Sequence, residues 1–294
     1  EALEKAFRRC IALGLTFFDT ADSYGTGRLN GRSEQLLGRF AARLSPAERD
    51  AITIATKLAP FPWRLGRRGF DKALSASRER LQGKLDRVQL HWSTARYAPW
   101  QDGPLLDGLA DAVLAGEVAE LGVSNMGPRR LAQLQAHLAE RGLPLRSLQV
   151  QASLLAPEPF RPGGLADRCR ELGIELIAYS PLALGLLSRP PGPLPPLPAG
   201  PRALLFRRLW PGIQPLLMAM QEIGAAHGAS QAAVALNWCR SHGALPIPGI
   251  RSAEQAEAAA SALAWQLDPA EREALDALAL AGTARMPANP FGSD

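Results

Sequence analysis

The chain has 294 residues, 47% of them hydrophobic, enough for one large core or two modest domains. No run of about 18 apolar residues occurs, so no membrane span is expected, and the charged, helix-patterned start Glu1–Arg9 has no apolar signal core. The net charge of +5 comes mostly from arginines scattered beside acidic residues, without the basic stripe and interleaved aromatics of a nucleic-acid binder.

The first helical pattern, from Glu1, runs into a strand-like stretch at 15–19. Further strand-like runs follow at 51–57, 86–91, 118–123, 147–152, 174–179 and 244–248. Amphipathic stretches such as 33–40 and 128–134 lie between them. This alternation predicts parallel strands with helices outside. A doubly wound sheet would carry a glycine-rich phosphate turn after its first strand. Here Gly25, Gly27 and Gly31 have the wrong spacing, so a (β/α)8 TIM barrel fits better. Such a barrel needs eight strands. The expectation is therefore a single barrel domain over 1–294 whose first strand is missing from this chain. Between Ser188 and Pro215 the pattern breaks in a proline-rich segment, read as a loop on the barrel. The three cysteines, Cys10, Cys169 and Cys239, are far apart and lack metal-ligand spacing. They are read as reduced and buried, with no metal, in a reducing compartment.

Four polar residues stand at or just past the ends of the first three runs: Asp19, Tyr24, Lys57 and His91. Parallel strands put their ends on one face, where residues distant in sequence converge. Singly, each has a plain structural reading: a loop cap, a cleft filler, a solvated charge, a core imidazole. Together they are the parts of a proton-transfer site.

From Phe18-Asp19-Thr20-Ala21-Asp22-Ser23-Tyr24-Gly25 onward the chain resembles the aldo-keto reductase superfamily. The resemblance continues in order through Ile54–Lys57, Leu90–Trp92, Gly122–Asn125, Ala178–Leu182 and Pro246–Arg251, so it covers the whole length. The stretch Trp63-Arg64-Leu65-Gly66-Arg67 is similar to that of plant-plastid and cyanobacterial members. The family fold is a (β/α)8 barrel. The resemblance implies reduction of an aldehyde or ketone by NADP(H), in the cytoplasm, or in a plastid if the source is a plant or alga. The partner is then a small carbonyl substrate, with no nucleic acid or membrane, and the oligomeric state stays open.

Carried onto this sequence, Tyr24 is the general acid. A free tyrosine parts with its proton near ~10, and a cation such as Lys57 favours the phenolate. Asp19 is the partner a buried lysine needs, and His91 orients and polarises the substrate oxygen. Ser124, Asn125 and Gln149 match the positions that bind the nicotinamide carboxamide, and Tyr179 stacks on its ring. Ser180 and Leu182 belong to the same segment. Gly249, Arg251 and Gln255 match the adenosine-phosphate side, where an arginine before a helix suits a phosphate and favours NADP(H). Arg202 is a further cofactor candidate.

Ala259 stands where relatives usually carry an adenine-facing asparagine. Leu148 and Ala152 replace an Asn and a Tyr beside Gln149, giving a smaller, more apolar wall. Phe61, Trp63, Trp92 and Trp100 follow strand ends and either line a substrate pocket or pack the loops together. The alternatives to an enzyme are a catalytically weak or inactive NADP(H)-binding regulatory protein of the same fold and an inactive fragment.

Overall fold

A computed structural model of the chain describes residues 1–25, 30–200 and 202–293. Gly27 and Pro201 lie outside the described residues. Seven strands are present: β1 (Phe17–Asp19), β2 (Thr53–Leu58), β3 (Arg87–Leu90), β4 (Glu120–Ser124), β5 (Ser147–Gln151), β6 (Glu175–Tyr179) and β7 (Ala244–Ile247). Each has ends within two residues of a run read from the sequence, and they follow one another in the sheet as they do along the chain. Among the described residues there is no strand before β1.

The chain divides into two compact units interleaved in sequence. One comprises Gly14–Val150, Cys169–Glu175 and Asn289–Asp294; it holds β1 to β4 and nearly all of β5. These strands pair in parallel, with Asp19 beside Ala55, Lys57 beside Gln89 and Ser124 beside Gln149. β3 is buried at every residue and β2 at every residue but its first, as expected of parallel strands covered on both faces. At the N-terminal ends of the strands, Arg87 sits only 7% exposed between Glu120 and Glu175, at 2.7 and 2.5 Å. Its hydrogen bonds to these carboxylates outweigh burial and hold the guanidinium charged. The helix Arg32–Ala41 packs so closely on the backbone of Arg80 and Leu81 that a Cβ on Gly38 would stand 2.8 Å from Leu81 Cα.

The other unit comprises Glu1–Leu13, Gln151–Arg168 and Leu176–Ala288. Here β6 pairs with β7, Tyr179 lying beside Ile247. The buried helix Gln231–Ser241 is capped by Ser230 and carries Trp238, whose indole donates to Asp276 at 2.7 Å. The proline-rich segment is not a loop throughout. Residues 189–200 have no helix or strand, but a helix spans Arg202–Leu209 and a 3-10 turn follows over Trp210–Ile213. The prolines thin out after 201, and Arg-Ala-Leu-Leu-Phe-Arg-Arg-Leu is made largely of strong helix formers.

All three cysteines are free and buried. Burial pushes the thiols of Cys169 and Cys239 up to about 12. No helix among the described residues is long and apolar enough to cross a membrane.

Candidate active site

The first unit described above gathers Asp19, Tyr24, Lys57 and His91 at the C-terminal edge of its sheet. Asp19 ends β1, Lys57 is the last residue but one of β2, and His91 directly follows β3. The loops after β1 and β3 are both tied to β2: Thr20 N donates to Ala55 O at 2.9 Å, Asp22 N to Lys57 O at 3.0 Å and His91 N to Leu58 O at 3.1 Å. The loop bearing Tyr24 is also pinned by Asp22, which accepts from Ala59 N at 3.3 Å and from Arg64 at 2.5 Å. Burial pushes the Asp22 carboxyl up, and Arg64 acts against it. This is the work of the arginine in the Trp63–Arg67 stretch.

Lys57 is 1% exposed. Its ammonium donates to Asp19 Oδ2 and to Thr20 O, the latter at 2.7 Å, and stands 5.0 Å from the Tyr24 ring centroid. The other oxygen of Asp19 accepts from Gln149 at 2.8 Å and Gln89 at 3.2 Å. A carboxylate so surrounded is oriented and has little freedom to turn. Tyr24 is 42% exposed, and its ring meets that of His91 edge-on at 5.9 Å. His91 is part-buried; desolvation first, then the charge of Lys57, lowers its pKa to about 3. It is therefore a neutral imidazole near pH 7. Ser23 Oγ lies 3.5 Å from Nδ1, so a donating Ser23 leaves Nε2–H as the ring's donor.

Ser124, Asn125 and Gln149 come together beside this group. Ser124 and Gln149 are each 1% exposed, and Ser124 Oγ donates to Gln149 O at 2.9 Å. Asn125 has a left-handed backbone, φ 61°, which asparagine tolerates better than most residues. Its side-chain nitrogen donates to His91 O at 3.0 Å. Gln149 thus serves Asp19 with one amide hydrogen, a use its position in the sequence did not suggest.

The remaining cofactor candidates lie in the other unit. Tyr179 ends β6, part-exposed, and Ser180 follows with φ 54°. Leu182 is part-buried and leads into a kink of left-handed residues at Ala183 and Leu184. Past β7, Gly249 is exposed, with no atom within 4 Å of the place a Cβ would take. Arg251 is exposed, and no carboxylate pairs with its guanidinium among the described residues. Its backbone N–H donates to Gln255 Oε1 at 2.7 Å, while Ser252 caps the helix Ala253–Ala260 by accepting from Gln255 N. Gln255 therefore shapes this turn as well as facing outward. Ala259 is 8% exposed, and Arg202 is exposed at the start of its helix.

Of the aromatic residues after the strand ends, Phe61, Trp63 and Trp92 form a stack that reaches His91. Phe61 stacks on Trp63 at 4.8 Å and meets Trp92 edge-on at 6.0 Å; the Trp92 ring lies 4.9 Å from His91. The wall continues onto Phe291, stacked on Trp92 at 4.5 Å and 48% exposed. Trp100, 69% exposed, has no part in this stack. Phe291 and its neighbour Asn289, which donates to Asn125 Oδ1 at 2.5 Å, were not foreseen from the sequence. Nothing in the chain near them marks a site; only their partners do.

The model of the aldo/keto reductase family matches residues 1–280, and the chain belongs to that family. Pyridoxal reductase, chloroplastic, of Arabidopsis thaliana is 46% identical over 279 residues, covering 94% of this chain and 76% of its own. The 6-dehydroglucose reductase of Novosphingobium aromaticivorans is 32% identical, covering 88% and 79%. Among solved structures, a thermostable aldo-keto reductase in complex with the inhibitor epalrestat matches with a TM-score of 0.72 and 26% identity, over 94% of this chain and 86% of that one. The family fold is the (β/α)8 barrel, and family and relatives together make an oxidoreductase role the supported one.

Proposed function

We propose that this protein reduces an aldehyde or ketone to an alcohol with NADPH, using Tyr24 as general acid. The observation that carries the reading is the Lys57 ammonium, buried, anchored on Asp19 and poised over the Tyr24 ring. A fixed positive charge beside a phenol favours transfer of its proton to an oxygen gaining negative charge. His91, held neutral, offers a hydrogen bond to that oxygen and does not compete for its proton.

The residues present fit a nicotinamide dinucleotide phosphate. Ser124, Asn125 and Gln149 supply the hydroxyl and amide groups a carboxamide needs. Tyr179 offers a part-exposed ring face, and Ser180 and Leu182 extend that segment. The Arg251 guanidinium, without a carboxylate partner among the described residues, suits a phosphate beside the open backbone at Gly249 and a capped helix N-terminus with Gln255. When bound, the cofactor supplies hydride.

The wall formed by Trp92, Phe291, Phe61 and Trp63 favours a flat aromatic or heteroaromatic aldehyde. The 46% identical relative named for pyridoxal supports the same class. The test is NADPH consumption with pyridoxal and with benzaldehyde, beside the Tyr24→Phe protein. NADPH binding with no Tyr24-dependent turnover would sink the enzyme reading and leave the binding-protein alternative.

A further inference from the structure

Between the catalytic histidine and the segment after residue 288 runs a chain of hydrogen bonds through two side-chain amides. Phe291 N donates to Asn289 Oδ1 at 2.9 Å. Asn289 Nδ2 donates to Asn125 Oδ1 at 2.5 Å, and Asn125 Nδ2 donates to His91 O at 3.0 Å. The ends of this relay are a backbone N–H, which only donates, and a backbone carbonyl, which only accepts. Both amides must therefore point one way, so the usual ambiguity between amide oxygen and nitrogen is removed by chemistry. A reversed Asn125 would set its oxygen against the His91 carbonyl and its nitrogen against a donor.

The backbone is clamped as well. Ser293 N donates to Asn125 O at 3.2 Å, Gly127 N donates to Ser293 O at 2.5 Å, and Met126 bridges Ser293 in parallel fashion. Asn125 is held in its left-handed conformation between these contacts. The same short segment places Phe291 on Trp92. One asparagine thus bonds both the amide next to the catalytic group and the residue that extends the aromatic wall.

We propose that Asn289 is a positioning residue: by orienting the Asn125 amide it sets the site for the cofactor's carboxamide, and through Phe291 it couples that site to the substrate wall. The inference rests on the NADP(H) reading above. Its test compares two ligands on the full chain by fluorescence titration. NADPH carries the nicotinamide; 2′,5′-ADP has only the adenosine-phosphate end. Asn289→Ala is expected to weaken NADPH about five- to tenfold, the loss of one well-placed hydrogen bond, and to leave 2′,5′-ADP unchanged within about twofold. Asn289→Asp is expected to weaken NADPH further, because it replaces a donor with an acceptor facing an acceptor. Asn289→Ser serves as a milder change should either protein fold poorly, with the same split between ligands expected.

Equal weakening of both ligands would reduce Asn289 to a structural role, and no change in either would remove the coupling. Equal loss in the Ala and Asp proteins would show that anchoring matters and amide orientation does not. Each of these three results overturns the proposal. A wild-type chain that binds neither ligand overturns the cofactor reading itself, which separates the two failures.

Discussion

Lys57 and Asp19 form an ion pair in which the lysine is 1% and the aspartate 8% exposed, and every oxygen of the aspartate already has a donor. Such a pair is a poor source of net stability but a costly thing to break. Lys57→Met, which strands the carboxylate, is expected to destabilise the protein by about 3–5 kcal/mol. Asp19→Asn strands the ammonium with a similar penalty, softened by the Thr20 carbonyl. The double variant should lose clearly less than the sum of the two, because neither charge is then left alone. Urea unfolding of the four proteins measures this directly, and additive losses would contradict the buried pairing.

Tyr24 tests the chemistry apart from the fold. It is 42% exposed and packs by ring edge, so Tyr24→Phe should leave stability within about 0.5 kcal/mol. The rate of aldehyde reduction should fall by roughly 10²–10⁴, the usual contribution of a general acid. NADPH affinity should hold. Rates unchanged in stopped-flow single turnovers would assign the proton to another group.

For His91 the sign of the pH effect is fixed by its lowered pKa of about 3. The unfolded chain takes up the proton near the ordinary value of ~6.5, the folded chain only near 3. The neutral ring's contribution is thus fully present above 6.5 and is lost as the pH falls from there towards 3. The slope due to this group is at most about 1.4 kcal/mol per pH unit. His91→Gln should flatten that part of the stability curve, seen as a melting-temperature gap between the two proteins that changes below pH 6.5 and not above it. A titration of the His91 ring near 6.5 by NMR would show the reading to be wrong.

If the cofactor is NADPH, as proposed above, Arg251 should distinguish the two nicotinamide cofactors. Its guanidinium has no carboxylate partner among the described residues, so removing it disturbs little in the fold. Arg251→Ala should weaken NADPH by about tenfold to a hundredfold, the range of a lost charge-assisted bond, and leave NADH nearly as before. Parallel titrations with both nucleotides check this; equal effects would place the phosphate elsewhere.

Much of this arrangement was open to reading because parallel strands advertise themselves. β2 and β3 are covered on both faces, and the polar residues at or just past their ends, Lys57 and His91, stand out beside apolar neighbours such as Ile54, Ala55, Val88 and Leu90. The helix Arg202–Leu209 was missed because prolines upstream dominated the local signal, although the eight residues themselves favour a helix. Asn289 and Phe291 were illegible for a different reason. Their meaning comes from partners 164 and roughly 200 residues away, Asn125 and Trp92, and no periodicity or spacing records such contacts. Gln149 was half legible: its place beside Ser124 was clear, its hydrogen bond to Asp19 across 130 residues was not.

The buried thiols have a practical consequence. Cys169 belongs to one compact unit, Cys10 and Cys239 to the other, and all three are buried. A thiol-reactive dye can label them only when the surrounding structure opens. With single-cysteine proteins, the labelling rate at Cys169 and that at Cys239 become two independent clocks, one for the breathing of each unit.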